Sequence, residues 1–202
     1  MDRIQKIKEW INDADAIIIG AGAGFSVSAG IDYGGEKFKK DFKQFIEKYN
    51  FSDLYTSSFY PFETEEEKWA YWTKHIYFSY YENKELELYK ELYELVKDKD
   101  YFVITTNVDG KFINNFFDKN KVFEVQGSYS KFQCSIPCHD KLYYNEKQVM
   151  KMLDNIDENL KIPSKLVPKC PVCHKNMSVN LRSDDTICVS KDIKKTIDKV
   201  LK

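Results

Sequence analysis

Short apolar runs of strand length alternate with amphipathic stretches along the chain. Residues 15–20 read Asp-Ala-Ile-Ile-Ile-Gly and residues 101–105 read Tyr-Phe-Val-Ile-Thr, while residues 121–125 form a third predicted strand of similar length. Such continuous runs are typical of strands that are buried on both faces of a parallel sheet. Around them, apolar residues recur at helical spacing over 3–12, 36–48, 64–81 and 85–98. The alternation predicts an α/β fold, a doubly wound parallel sheet with helices on both faces.

Two of the predicted helices carry further local signals. Thr64 followed by Glu67 forms a capping box, which predicts that a helix begins just after Thr64. In the next helix Leu88, Leu92 and Leu95 repeat at helical spacing. Three weaker helical patterns lie around 113–117, 145–158 and 191–202.

Four of the five cysteines form two closely spaced pairs. The predicted metal ligands are Cys134, Cys138, Cys170 and Cys173. Four thiolates make a closed tetrahedral site, which suits one structural Zn²⁺ per chain and leaves no position for catalysis. His139 and His174 adjoin these cysteines and are not expected to bind, and Cys188 has no partner. The alternative is a set of reduced cysteines that hold no metal.

A strand followed by closely spaced glycines is a typical place for a phosphate group. Gly20, Gly22 and Gly24 follow the first apolar run, and Ser26 opens the next segment. Glycines let backbone N–H groups approach a pyrophosphate closely. The spacing is not the Gly-x-Gly-x-x-Gly of dehydrogenases, because Phe25 stands at the third position, and no Walker lysine follows. A tight turn without a ligand is the alternative.

Two polar side chains follow the second apolar run. Asn107 and Asp109 come just after the strand predicted to end near residue 105. In open α/β sheets the carboxyl ends of the strands are where ligands bind. The alternative is that the two residues only cap a loop.

Four motifs together resemble the sirtuin family. Gly22-Ala-Gly-Phe-Ser26, with Gly30-Ile31 after it, is similar to the family's Gly-Ala-Gly-x-Ser-x-x-x-Gly-Ile loop. Thr105-Thr-Asn-Val-Asp-Gly110 resembles its Thr-Gln-Asn-Ile-Asp-Gly segment, and Glu124-Val-Gln-Gly-Ser128 resembles its Glu-Leu-His-Gly-Ser. The four-cysteine module follows in the expected place. The motifs stand in the family's order over roughly residues 14–182.

The resemblance implies an NAD site on a Rossmann-like sheet. The residues that it assigns to NAD binding are Gly22, Ala23, Gly24, Ser26, Gly30, Thr105, Asn107, Asp109 and Gln126. Asn107, Asp109 and Gln126 are the implied catalytic residues. The family continues for several strands beyond its cysteine module, whereas residues 128–202 here contain no glycine. We therefore expect an incomplete Rossmann-like sheet, which a homo-oligomer or a partner would complete.

Gln126 departs from the deacylating sirtuins, which carry a histidine general base at this position. An amide has no titrating nitrogen near neutral pH, so Gln126 can orient a hydroxyl group but cannot take its proton. A second departure is Asp32-Tyr-Gly-Gly35, where those enzymes have Pro-Asp-Phe-Arg. Both features resemble the macrodomain-linked, class M sirtuins.

That class implies an NAD-dependent protein mono-ADP-ribosyltransferase. Its implied acceptor is a lipoylated carrier protein, and a macrodomain hydrolase removes the modification. The alternatives are an NAD-dependent protein deacylase and a truncated, non-catalytic fragment that binds zinc. The aromatic stretch 59–81 is expected to form either a channel for the acceptor or, for most of its rings, helix core, and His75 within it is expected to be a packing residue.

Composition sets the remaining expectations. A formal net charge of −1 provides no electrostatic field that would attract nucleic acid. No apolar run is long enough to span a membrane. The N-terminus lacks the apolar segment of an export signal, and clustered cysteines suit a reducing cytoplasm. We expect a sirtuin-like core over 1–130, a zinc-binding module over 131–182 and a divergent helical tail over 183–202.

Overall fold

Two small sheets and nine α-helices form the part of the chain that the computed structural model describes, residues 2–82 and 85–182. The helices are α1 (Arg3–Asp13), α2 (Ala23–Ser28), α3 (Glu36–Asp41), α4 (Lys43–Tyr49), α5 (Leu54–Ser57), α6 (Glu65–Ile76), α7 (Glu87–Val96), α8 (Lys111–Asn114) and α9 (Glu146–Leu153). The strands are β1 (Ala16–Ala21), β2 (Asp100–Thr105), β3 (Val122–Glu124), β4 (Gly127–Cys134), β5 (Tyr143–Tyr144) and β6 (Met177–Leu181).

The first sheet is parallel and has the strand order β1-β2-β3. Ala21 pairs with Thr105, and Thr105 pairs with Glu124, so the three strands end side by side. The loops that follow β1 and β2 therefore leave from one edge of the sheet, which is where ligands bind in folds of this kind. The predicted α/β class and the three predicted strands are confirmed.

The expectation that β1 is buried on both faces is wrong. Its residues alternate between the core and solvent: Ile17 and Ile19 pack on the core, whereas Ile18 is 66% exposed. On the neighbouring strand Ile104 is 37% exposed on the same open face. The physical reason is that β1 is one of the two edge strands of the described sheet. The face is covered only in part, since Phe102 on β2, which pairs with Ile18, is 8% exposed.

The second sheet is antiparallel, with the order β5-β4-β6. A large core connects this sheet to the helices of residues 36–82, and it includes the contact of Trp69 on α6 with Phe132 on β4. A smaller core lies between α7 and the parallel sheet. The helices of 36–82 thus share a core with the cysteine-containing segment, and the division at residue 130 stays a prediction.

The structure tests the two local helix signals, the capping box of α6 and the leucine repeat of α7. Thr64 caps α6 by accepting the backbone N–H of Glu67, as the capping box predicts. The predicted helix is present as α7, where Leu92 packs against the smaller core, Leu95 is 50% exposed and Tyr89 is fully buried. Tyr89 can be buried because its hydroxyl group has a hydrogen-bond partner in Ser26.

The predicted helix over 191–202 and the tail 183–202 lie outside the described residues. Within the described part of the chain, every helix is too short or too polar to cross a lipid bilayer.

The turn at Gly127 gives a test of the junction between the two sheets. Gly127 has φ +93°, and a Cβ atom there would lie 2.1 Å from the carbonyl oxygen of Asn180. Gly127→Ala should lower the free energy of unfolding by at least about 2 kcal/mol, because backbone strain and overpacking each cost about 1–3 kcal/mol. Gly20→Ala is the control, since a Cβ there meets no atom within 4 Å. Urea denaturation measures the free energy of unfolding. Equal values for the two variants would contradict the prediction.

Candidate active site

A cavity of about 630 Å³ opens at the carboxyl edge of the parallel sheet. One part of its wall is polar and contains Asn107, Asp109 and Gln126. The other part is aromatic and is contributed by α5, α6 and the segment between them. Its rings belong to Tyr55, Phe59, Trp69 and Trp72. The cavity therefore joins a polar site at the sheet edge to an apolar channel on the helices.

Ser26 and Asp109 connect the loop after β1 to the loop after β2. The Ser26 hydroxyl donates to Asp109 Oδ2 at 2.7 Å, and both residues are almost completely buried. Tyr33 donates to the same oxygen at 3.2 Å, and the backbone N–H of Lys111 donates to Oδ1 at 3.1 Å. Each carboxylate oxygen thus has a hydrogen-bond donor, which is how a buried charge is tolerated.

The direction of these hydrogen bonds follows from counting protons. Ser26 donates its single hydroxyl proton to Asp109, so Tyr89 must be the donor in its 2.8 Å contact with Ser26. Asn107 uses both protons of its amide, one on Ser26 Oγ at 2.9 Å and one on the Gly22 carbonyl at 3.0 Å. Its Oδ1 takes part in no hydrogen bond among the described residues and is available to a ligand that donates.

The structure brings only some of the predicted site residues to the cavity. Ala23, Asn107, Asp109 and Gln126 line it. Ser26 and Thr105 lie buried behind the wall, and Thr105 Oγ1 accepts the backbone N–H of Asn107. Gly22 contributes its carbonyl group, while Gly24 and Gly30 are not part of the lining.

Several lining residues were not found by the sequence analysis. Tyr33, Tyr129 and Arg182 line the cavity, and Tyr89 supports it from α7. Tyr33 had a signal, because it lies in the segment Asp32-Tyr-Gly-Gly35 that departs from the deacylating sirtuins. His75 is buried and packed, as expected, and it also lines the cavity. Most rings of 59–81 are core, but Phe59, Trp69 and Trp72 also face the cavity.

Burial shifts the pKa of several ionisable groups in or beside the cavity, among them His75, Lys111 and Glu124. It lowers the pKa of His75 to about 3, so the imidazole is neutral at physiological pH. It lowers the pKa of Lys111 to about 8, although the charge of Asp109 acts in the opposite direction. It also raises the pKa of Glu124 to about 7, which the nearby cation Lys131 only partly offsets. Among the described lining residues, Asp109 is the only carboxylate.

The four predicted cysteine ligands come together at one end of the antiparallel sheet. Their sulfur atoms all lie within 4.8 Å of one another, with 3.5 Å between Cys134 and Cys173 and 3.7 Å between Cys138 and Cys170. These separations are too long for disulfides. They match the edge of about 3.8 Å that a tetrahedron with Zn–S bonds of about 2.3 Å has. The donor set therefore fits a tetrahedral metal ion.

His139 lies next to this cluster without being one of its four members. Its Nδ1 accepts the backbone N–H of Lys141 at 3.2 Å, so a neutral ring carries its proton on Nε2. Nε2 lies 3.4 Å from Cys170 Sγ and can donate to that sulfur. Such a contact stabilises a thiolate ligand without adding a metal bond.

Replacement of a cluster cysteine tests the metal site. Cys170→Ser should reduce bound zinc from about one ion per chain to well below one and lower the Tm, because a structural site needs all four ligands. Metal analysis after dialysis and thermal denaturation measure the two effects. Cys188→Ser is the control and should keep its zinc. Equal zinc content in both variants would rule out this ligand set.

Glu124 should make stability depend on pH. Its pKa rises from an ordinary value of 4.5 to about 7, so between these values the folded chain binds more protons than the unfolded chain. The free energy of unfolding should therefore fall as pH rises through this window. Glu124→Gln should remove this fall, and at pH 8 it should exceed the wild type in stability by on the order of 3 kcal/mol.

Urea denaturation at pH 4.5, 6 and 8 measures this effect. Glu91→Gln, at an exposed position on α7, is the control and should follow the wild type. A Glu124→Gln curve parallel to the wild-type curve across these pH values would contradict the assignment.

A solved structure of a mutant Sir2 homologue in complex with ADP-ribose has the same fold. The two structures superpose with a TM-score of 0.55 over 98% of this chain and 68% of that one, at 15% sequence identity. At this identity the likeness concerns the fold alone.

Three curated relatives are similar in sequence. A "Protein ADP-ribosyltransferase" from Staphylococcus aureus (strain Mu50 / ATCC 700699) is 40% identical over 87% of this chain. A "Probable bifunctional ADP-ribose hydrolase/ADP-ribosyltransferase" from Fusarium oxysporum f. sp. cubense is 32% identical over 87%, and an "NAD-dependent protein deacetylase" from Clostridium perfringens (strain 13 / Type A) is 31% identical over 85%. The aligned regions span 56%, 30% and 63% of those proteins, respectively.

The family model described as "Sir2 family" matches residues 22–196, which include the glycine loop, the Asn107–Asp109 loop and all four clustered cysteines. The match covers most of the chain, and it agrees with the motifs and with the fold. The chain therefore belongs to the Sir2 family, the sirtuins.

Proposed function

We propose that this sirtuin transfers ADP-ribose from NAD to a protein rather than removing acyl groups. The observation that carries the proposal is Gln126, which lines the cavity beside Asn107 and Asp109. A deacylase needs a general base here, and an amide cannot act as one. His75 does not replace that base, because a group with a pKa of about 3 binds protons too weakly.

NAD supplies the ADP-ribosyl group: nicotinamide leaves with the bonding electrons, and the acceptor's nucleophile bonds to the ribose carbon and releases its proton. In the proposed site Asp109, held by Ser26, stabilises the positive charge that develops on the ribose. Asn107 presents Oδ1 to the substrate, and Gln126 orients a ribose hydroxyl group. Such positioning is sufficient because the bond that breaks is already activated.

The further NAD contacts are proposed from the family's motifs. Gly22, Ala23 and Gly24 bring backbone close to the dinucleotide, Gly30 turns the chain after α2, and Thr105 holds the loop of Asn107. The cysteine cluster is proposed to bind one structural Zn²⁺ through Cys134, Cys138, Cys170 and Cys173.

The proposed acceptor is a lipoylated carrier protein, and a macrodomain hydrolase is the proposed enzyme that reverses the modification. An aromatic channel beside the polar site suits a long apolar arm, and its rings at the mouth include Tyr55 and Phe59, which are 73% and 67% exposed. The Fusarium relative, which is named for both a hydrolase and a transferase activity, supports the link between the two reactions.

The test is incubation of the chain with radiolabelled NAD and a lipoylated glycine-cleavage-type carrier. Labelling of the carrier is expected, and Asn107→Ala should reduce it by at least about tenfold, because transition-state contacts of this kind are worth several kcal/mol. Asn155→Ala is the matched control, since this side chain only bonds the Lys151 carbonyl at the end of α9. The unlipoylated carrier should remain unlabelled, and a macrodomain hydrolase should remove the label.

Two other activities give different results in the same assay. The deacetylase-named relative favours an NAD-dependent deacylase as the second candidate. Turnover of acyl peptides that survives Gln126→Ala, without labelling of the carrier, would favour that candidate. No labelling together with no NAD binding by calorimetry would favour a non-catalytic, zinc-binding fragment.

A further inference from the structure

Three side chains form a hydrogen-bonded row along one wall of the cavity. His75 Nδ1 lies 2.9 Å from the Tyr71 hydroxyl, and His75 Nε2 lies 3.0 Å from the Tyr129 hydroxyl. The row ends at the carbonyl oxygen of Leu54, to which Tyr71 donates at 3.2 Å. Tyr71 and His75 are almost completely buried, so water does not compete for these bonds.

The carbonyl group at the end of the row assigns a direction to each hydrogen bond in it. The Leu54 oxygen can only accept, whereas His75 Nδ1 can either accept or donate. Donation of the single Tyr71 proton to Leu54 is therefore the arrangement in which every group of the row keeps a partner. His75 Nδ1 must then carry the ring's proton and donate to the Tyr71 oxygen. The imidazole is neutral because burial lowers its pKa to about 3, so Nε2 has no proton and accepts the one from Tyr129.

This row orients Tyr129 and does not conduct protons. A proton that moved along it would arrive at a peptide carbonyl, which is not a base. With its own proton directed at His75, the Tyr129 oxygen has an acceptor position that is used by no hydrogen bond within 2–82 and 85–182. Tyr129 can therefore accept a hydrogen bond from a ligand and cannot donate one.

Tyr129 is placed where a substrate passes. It lines the cavity together with Gln126, and its backbone N–H bonds the carbonyl of Val108, between Asn107 and Asp109. Its ring packs at 5.0 Å from the ring of His75 and at 6.3 Å from that of Trp72. It thus stands between the polar site and the aromatic channel.

We infer that Tyr129, oriented by His75 and Tyr71, is a positioning residue that accepts a hydrogen bond from an N–H or O–H group of the acceptor side chain. The inference rests on the proposed transfer reaction and adds the chemical class of the group that the acceptor must present. Because the Tyr129 proton is directed at His75, its oxygen favours a ligand group that donates a hydrogen bond over a group of the same shape that only accepts one. An accepting group would leave a buried polar atom without a partner.

Two variants distinguish the loss of the Tyr129 oxygen from a change in the direction in which its O–H group points. Tyr129→Phe removes the oxygen and keeps the ring, and it should raise KM for the lipoylated carrier roughly three- to tenfold with a smaller change in kcat. Tyr71→Phe keeps the Tyr129 oxygen but removes the acceptor of the Nδ1 proton. His75 can then protonate on Nε2 and turn the Tyr129 proton toward the cavity, so KM for the carrier should rise here as well.

The His75 tautomer gives a readout that is independent of activity. Nitrogen-15 NMR of the labelled full chain should show the Nδ1–H form of His75 in the wild type and a shift toward the Nε2–H form in Tyr71→Phe. Tyr144→Phe is the matched control, because Tyr144 is 78% exposed on β5 and is absent from the cavity wall. Thermal denaturation of each variant checks that it is folded.

The outcomes distinguish this inference from the proposed function. A wild-type Nε2–H tautomer would overturn the inference whatever the activity, and so would an unchanged KM in Tyr129→Phe when the wild type labels the carrier. A wild type that binds NAD but labels no carrier would overturn the proposed function, and the inference would fall with it. A raised KM in both variants, with the Nδ1–H tautomer in the wild type, would support the inference.

Discussion

The short hydrogen bond between Ser26 and Asp109 is the contact on which the candidate site depends. It joins the loop after β1 to the loop after β2, and it satisfies a carboxylate that is only 3% exposed. The Tyr89 hydroxyl group donates a hydrogen bond to Ser26 from α7. The Asn107 amide is oriented by the hydrogen bonds that it donates to Ser26 and to the Gly22 carbonyl. A substitution at Ser26 would therefore disturb both the Asp109 carboxylate and the Asn107 amide, because the Ser26 hydroxyl group bonds to both.

The cavity combines two environments because two cores meet at it. The parallel sheet and α7 supply the polar edge, whereas α5, α6 and the antiparallel sheet supply the aromatic channel. Gly127 stands at the junction, where only a residue without a side chain fits against Asn180. The cysteine cluster holds β4 near the segment of residues 170–173, and β4 also carries Tyr129. A metal ion bound to this cluster would therefore stabilise one wall of the cavity.

Much of the fold followed from local patterns in the sequence. The three parallel strands, the capped start of α6 and the clustering of four cysteines were predicted correctly, since each depends on residues close in sequence or on a spacing with one chemical meaning. The error concerns β1. Apolar periodicity alone does not tell which face another element covers, nor that a tyrosine will be buried because a distant serine accepts its proton.

The sequence by itself determined the family, through four motifs in a fixed order, and it placed Gln126 where the deacylating sirtuins have a histidine base. Only the tertiary structure decided which way the protons point. The roles of Tyr89 and Tyr129 depend on Ser26, His75 and Leu54, which lie between 54 and 75 residues away in the chain. A hydrogen-bond direction is set by the partners that surround a group in space, and the order of residues along the chain does not contain that information.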